Sequence, residues 1–221
     1  MSARSSFVYA PPQHALCTIY EDDDLIVIDK PAGLLSVPGR LPEHHDSAYA
    51  RILRDHPEAK VTHRLDMATS GLLMFAKHRT AEVAISKMFQ ARTVEKHYIA
   101  LVQGQLEGEG SVEVPLITDW ENRPRQIVHF ELGKSAKTLY QVLDYDVEQD
   151  ISRVLLTPIT GRSHQLRVHM QYIGHPITGD KLYHPEPTRS PLQRLALHAW
   201  DLVFQHPLQG NLLKLQSPLP F

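Results

Sequence analysis

His63-Arg64-Leu65-Asp66-Met67-Ala68-Thr69-Ser70-Gly71 runs directly into Leu72-Leu73-Met74-Phe75-Ala76. A short polar segment with one carboxylate thus precedes five apolar residues, the pattern of a buried strand. This puts Asp66 in a loop beside a rigid element, where a reactive side chain can be held in a fixed direction. Arg64, two residues earlier, offers a planar cation suited to a phosphate or to the face of a base. Taken alone, the stretch fits equally an aspartate that hydrogen-bonds its own turn.

Outward from this centre the chain alternates short elements. Leu16–Tyr20 and Leu25–Lys30 read as strands around the acidic turn Glu21-Asp22-Asp23-Asp24, the second apolar on both faces and so central in a sheet. Lys30–Arg40 is a Pro- and Gly-punctuated loop, too apolar for a solvated linker, and is expected to pack beside a pocket. A helix from Ser47 to His56 has Ser47 as N-cap and Pro57 as its stop. A second helix spans Thr80–Ala91, and Val94–Val102 is a strand ended by Gly104. Ser111–Ile117, Gln126–Phe130, Thr138–Tyr145 and Arg153–Leu156 read as pieces of an antiparallel meander. The clearest helix lies within Thr160–Gly174, with Leu166, Met170 and Ile173 on one side and Gly174 at its end. Leu195–Phe204 and Leu212–Gln216 close the chain as strands. The expectation is one α+β domain over residues 16–221, a mixed and mainly antiparallel sheet with flanking helices, behind an extended arm over residues 1–15.

The 221 residues are 42% hydrophobic and 22% charged, the balance of a soluble globular protein. No apolar run is long enough to span a bilayer, and the N-terminus lacks a signal-peptide pattern. The single cysteine, Cys17, excludes an internal disulfide and fits a cytoplasmic protein. A net charge of −2 argues against a generally basic coat, but residues 151–221 carry seven basic against three acidic side chains. That asymmetry offers a local face for a polyanion, or only balances the acidic start.

Several residues invite a chemical reading. Arg167 lies one position off the apolar stripe of its helix, at the edge of the core, and an arginine there needs a carboxylate partner. Asp66 is the candidate; a purely structural ion pair fits the spacing as well. Tyr98 is either a core aromatic or a ring that stacks on a base and a hydroxyl that moves protons. Arg162, His164 and Gln165 crowd a helix start, where free amides favour phosphate and capping is the plainer role. Arg40, Arg123 and Arg125 are candidates for contact with a polyanion or for solvated surface. His-Arg-Leu-Asp is not the His-Arg-Asp of a kinase loop, and no dinucleotide or Gly-x-Ser-x-Gly fingerprint occurs. His44-His45-Asp46 lacks the further ligands of a metal site.

The segment His63–Asp66 followed by Thr69-Ser70-Gly71 resembles the catalytic motif of the RluA family of pseudouridine synthases. Lys30-Pro31-Ala32-Gly33-Leu34, Lys96-His97-Tyr98-Ile99-Ala100 with Gly104, Thr160–His169, Gly179-Asp180-Lys181, Leu197-His198-Ala199 and His206-Pro207 resemble further family blocks, in the family's order. The resemblance runs from about residue 16 to the end. It implies a sheet with a central active-site cleft and conversion of uridine to pseudouridine in structured RNA, with no metal and no cofactor. Asp66 would be the essential carboxylate, whether it attacks C1′, adds to the base or assists a glycal route. Tyr98 would stack on the uracil and help remove the C5 proton, Arg167 would pair with Asp66, and Arg64 would fill the stack when the nucleotide flips out. His63, Arg40, Gly161, Arg162, His164, Gln165 and Leu166 join Arg64 as expected substrate contacts. Hairpin loops, of 23S ribosomal RNA and the tRNA anticodon stem, are the implied substrates. About 15 residues ahead of the first strand leave no room for an S4 domain, and a monomer without a protein partner is expected. Two rival classes stay open: an RNA-binding or RNA-folding module, and a glycoside hydrolase, which would need a second carboxylate.

Overall fold

Alternate residues of one strand pair enter two different cores, and this sets the architecture. In the computed structural model, which describes residues 8–186 and 192–221, strands β1 (Cys17–Glu21) and β2 (Leu25–Lys30) form an antiparallel pair. After α1 (Ala48–Asp55) and the short β3 (Lys60–Val61) comes β4 (Ser70–Ala76), which pairs antiparallel with β2 and is buried along its whole length. Leu25, Val27, Leu72 and Met74 pack on one face with Ala81 and Ile85 of α2 (Arg79–Ala91). Ile26, Ile28, Leu73 and Phe75 pack on the other with Ile52 of α1 and Leu34 of the loop after β2. Burial on both faces explains why these strands read as continuous apolar runs.

The second half adds β5 (Glu95–Gln103), β6 (Glu109–Val112), β9 (Thr138–Asp146) and β10 (Ile151–Pro158), with β7 (Leu116–Thr118) and β8 (Gln126–Val128) as a separate hairpin. Helix α3 (Gln165–Tyr172) follows, then β11 (Leu197–Gln205) and β12 (Leu212–Gln216). The sheet order is β1-β2-β4-β11-β5-β10-β9-β6, with β12 beside β11 and β3 beside β4. Among the described residues every strand pairing is antiparallel except β4 with β11, so the fold is the expected α+β, mixed and mainly antiparallel. At that one parallel contact Gly71 has φ +108°, and a Cβ there would lie 2.2 Å from the Ala199 carbonyl oxygen. Only glycine lets the two strands meet at this seam.

Two local expectations are corrected. Ser111–Ile117 is not one strand: β6 ends at Val112 and β7 starts at Leu116, with Pro115, which has no N–H to give a ladder, between them. Helix α3 is not amphipathic, because all six residues from Gln165 to Met170 are buried. Its polar members are satisfied internally: the Gln165 amide donates to Lys137 O and Thr138 Oγ1, and the His169 ring meets Thr138 Oγ1 and Val114 O. The part of the arm within the described residues has no regular element, as expected, but it is pinned down; the first seven residues lie outside the described ones. The Tyr9 hydroxyl donates to Asp46 O and accepts from Leu35 N, and Arg51 donates to Pro12 O and His14 O. No helix among the described residues is long and apolar enough to cross a membrane.

The β4–β11 seam carries a buried polar relay. Ser70 Oγ accepts from Arg194 and lies 2.8 Å from His198 Nδ1, while His198 Nε2 is 3.0 Å from Ser217 Oγ. Burial, and next the Arg194 charge, pull the His198 pKa from 6.5 to about 4. Between those values an unfolded chain binds a proton that the folded ring refuses, so stability is lost as pH falls through this window. Urea unfolding is expected to show the midpoint dropping as pH falls from 6.5 towards 4, with a shallower drop for His198→Asn. An equal slope in that variant would take the relay out of the acid response.

Candidate active site

The loop that carries Asp66 is fastened from below by the loop after β2. Lys30 is fully buried, and its Nζ donates to Pro31 O at 2.9 Å, Leu34 O at 2.7 Å and Met67 O at 3.2 Å. Burial draws its pKa down to about 7, with the Asp66 charge opposing. Three carbonyl acceptors nevertheless require three N–H donors, which only the ammonium has. Gly33 N also donates to Met67 O, Ser36 Oγ donates to Leu65 O, and Leu65 N donates to Ser36 Oγ. Asp66 is thereby bracketed by anchored neighbours. Its own turn is closed by its backbone, Thr69 N donating to Asp66 O, so the carboxylate is not spent on the turn.

The carboxylate faces the start of α3. Arg167 Nη1 lies 3.3 Å from Asp66 Oδ2, as the sequence suggested, but the dominant partner of Arg167 is Asp180. Its Nε and Nη2 donate to the two Asp180 oxygens at 2.7 and 2.8 Å, and Asp180 also accepts from the backbone N–H of Leu182 and Tyr183. Arg167 is 4% exposed and Asp180 1%, so the pair sits inside the core and not at its edge. Burial is the largest influence on the Arg167 pKa and lowers it, yet the Asp180 hydrogen bonds with the Asp180 and Asp66 charges leave it raised. With one edge of the guanidinium locked, Nη1 has a single direction left, towards Asp66. Asp180 was quoted in the sequence only as part of a matching block; no periodicity marks it as the anchor.

His164 approaches the same oxygen. It caps α3 in the left-handed region at φ 54° and ψ 16°, a conformation that costs a non-glycine residue about 1 kcal/mol or more. Its Nε2 lies 3.9 Å from Asp66 Oδ2, and its Nδ1 is 2.7 Å from the Tyr183 hydroxyl. Gln126 N already donates to that hydroxyl, so the phenolic proton is directed at Nδ1 and the ring N–H sits on Nε2, facing Asp66. Burial lowers the His164 pKa, with Asp66 opposing, which favours this neutral ring.

A cleft of about 760 Å³ opens over these groups, lined by Asp66, Tyr98, His164, Arg64, Lys96 and Phe89 among others. Tyr98 packs against two cores at once and lines the cleft, and its hydroxyl meets no hydrogen-bond partner among the described residues. Burial and then the Asp66 charge push its pKa well above the usual phenol value, so the resting side chain is a neutral phenol. Arg64 is exposed at the cleft and has no ion pair or hydrogen bond among the described residues. His63 accepts from Met74 N through Nε2, and burial, then Lys96, take its pKa to about 3, so it braces the wall. Gly161 and Arg162 are exposed on the rim, with Arg162 Nε donating to Ser135 O. Gln165 is 3% exposed and holds the 160–162 turn, its Oε1 accepting from Thr160 Oγ1 and Arg162 N; Leu166 belongs to the core. Arg40 is exposed and does not line the cleft.

Metal-type donors gather among the described residues at Asp22, Asp24 and His206, outside the cleft lining. His206 Nδ1 accepts from Leu208 N and Gln209 N, so the ring proton sits on Nε2, 2.8 Å from Asp22 Oδ2. A nitrogen that carries its proton has no lone pair for a metal. The other suggested cluster is engaged elsewhere, since Asp46 is paired with Arg51 at 2.7 Å.

Comparison with known proteins gives a consistent answer. The family model described as RNA pseudouridylate synthase matches residues 24–172. The dual-specificity RNA pseudouridine synthase RluA of Escherichia coli is 49% identical over 215 residues, covering 96% of this chain and 98% of the relative. The protein of the same name from Vibrio parahaemolyticus is 50% identical over 218 residues, covering 96% of this chain and 87% of its own length. Among solved structures, human RNA pseudouridylate synthase domain containing 1 superposes with a TM-score of 0.79 at 28% identity, covering 96% of this chain and 87% of the other.

The Arg167–Asp180 pair generates a stability prediction. Asp180→Ala leaves a buried guanidinium without its main counter-charge and is expected to cost ~3–5 kcal/mol in urea unfolding. A variant within about 0.5 kcal/mol of wild type would remove Asp180 as the anchor.

Proposed function

The chain belongs to the RluA family of RNA pseudouridine synthases, and from that premise we propose how its residues isomerise uridine in RNA and which RNAs they serve. The reaction breaks the N1–C1′ bond, turns the uracil, joins C5 to C1′, and trades the proton on C5 for one on N1, so nothing is released but an exchangeable proton. Asp66 is the essential carboxylate. The observation that carries this role is the one-sided fixation of its side chain: Oδ2 faces Arg167 Nη1 at 3.3 Å and His164 Nε2 at 3.9 Å, while Oδ1 meets no partner among the described residues. A carboxylate with one oxygen clamped and the other open to the cleft suits a nucleophile or a base in a sugar-directed step.

Arg167 pairs with Asp66 and fixes its direction, a positioning role that Asp180 in turn secures. Tyr98 supplies the ring against which the detached uracil rests and an oxygen near the carbon that loses its proton. Arg64, exposed at the cleft without a partner, is suited to take the place of the flipped nucleotide. The substrates are loops, whose bases cost least to extract, and both a ribosomal and a transfer RNA loop are proposed. The relatives' description as dual-specificity enzymes and the near-complete coverage of both chains support that reading.

The test is tritium release from RNA labelled at uracil C5, with tRNA and 23S transcript assayed in parallel. Wild type is expected to release tritium from both, and Asp66→Asn from neither while still binding RNA. Turnover by Asp66→Asn at the wild-type rate would end the role given to this carboxylate; release from one RNA alone would reject dual use. Tyr98→Phe keeps the ring and removes the oxygen, and is expected to lower the rate by ~10²-fold or more with RNA affinity retained. A rate close to wild type would leave Tyr98 as a stacking surface only.

A further inference from the structure

One cation in the cleft has no part in the chemistry described so far. Lys96 lies on β5 two residues before Tyr98, so the two side chains leave the same face of the strand, about 7 Å apart along it. Both line the cleft. Lys96 is half-buried, and among the described residues it forms no hydrogen bond and no ion pair; its Nζ lies 5.6 Å from the Phe89 ring centroid. The acidic groups of the cleft lining do not serve it. Asp66 is held by Arg167, and Glu95, the preceding residue, is exposed with no salt bridge to Lys96. The other cations of the lining are Arg64, Arg92 and Arg162, which offer it no counter-charge.

An ammonium that is partly desolvated and unpaired is unfavourable, and the usual remedy is an anion. Burial alone already pulls the Lys96 pKa below its ordinary value, and its charge contributes to the depressed pKa of His63 beside it. The one anion an RNA substrate brings into the cleft is the phosphodiester. We infer that Lys96 binds a backbone phosphate, gripping the RNA one nucleotide step from the uridine held against Tyr98. This rests on the reading that the target uridine enters this cleft. The phosphate supplies the counter-charge the protein withholds, so the contact forms fully only when the strand is threaded with the target base beside Tyr98. Lys96 thus ties the register of the strand to the position of the base.

The experiment measures affinity for a fluorescent hairpin RNA against KCl concentration, in an Asp66→Asn background that blocks turnover. Adding Lys96→Met is expected to weaken binding about tenfold at low salt. It is also expected to flatten the slope of log K against log[KCl] by ~0.7–0.9, the loss of one neutralised phosphate. Lys96→Arg, which keeps the charge, is expected to retain the slope. In parallel, the NMR signal of dimethylated Lys96 should titrate at higher pH with RNA bound than without it. A slope unchanged by Lys96→Met overturns the inference, even with weaker binding, because loss of packing alone does not release counterions. Wild-type tritium release separates the two levels: release with an unchanged slope rejects only the phosphate contact, and no release rejects the functional reading and the contact with it.

Discussion

A single guanidinium organises the reactive end of this molecule. Arg167 is buried in a helix whose first six residues are all enclosed, and a charge so placed is tolerable only with close partners. Asp180 takes the Nε–Nη2 edge, and the geometry of the fork then leaves Nη1 with one outlet, the Asp66 carboxylate. Asp180 reaches its place because Gly179, at φ +71°, passes so close to the Arg194 carbonyl that a Cβ would sit 1.9 Å from it. The direction of the carboxylate is therefore decided by a chain of contacts running from the segment before β11, through Asp180 and Arg167, to the loop before β4.

The other side of Asp66 is secured by hydrogen bonds instead of charge pairs. Lys30 and Ser36 tie the loop after β2 to the carbonyls of Leu65 and Met67, and Tyr9 ties the N-terminal segment to Leu35 of the same loop. Each tie uses a side chain to satisfy backbone groups that a folded loop would otherwise bury unpaired. The result is a carboxylate on a loop with the rigidity of a strand, which favourable alignment for catalysis demands.

Around this fixed point the charges are distributed unevenly. The whole chain is slightly acidic, at −2, yet the cleft lining carries Arg64, Arg92, Lys96 and Arg162 against Asp66 and Glu95. A weakly charged surface with cations concentrated in one cleft limits non-specific attraction to polyanions while favouring a strand threaded through that cleft. Arg64 and Lys96, which have no ion pair or hydrogen bond among the described residues, remain available to the substrate, whereas Arg167 is committed to the protein.

The sequence by itself determined most of the strands and the helices to within a few residues, though not β3 or the break between β6 and β7, and the ordered blocks around Asp66, Tyr98 and Arg167 that identify the family. Strands buried on both faces announce themselves as unbroken apolar runs, so β2 was legible residue by residue and β4 to within two residues, while β5, stopped by Gly104, was placed to within one. It missed what has no period. The burial of all six residues from Gln165 to Met170 was hidden because Gln165, Arg167 and His169 look solvent-facing until Lys137, Thr138, Val114 and Asp180 arrive from other segments. The loop Lys30–Arg40 read correctly as packed, but its hold on Asp66 through Lys30 did not show. Only the tertiary structure decided which carboxylate anchors Arg167, which ring nitrogen of His164 faces Asp66, and that Lys96 is left without a counter-charge. Each of these depends on groups brought together from distant parts of the chain, and a linear pattern records a residue's own type and spacing, not the partner that folding delivers to it.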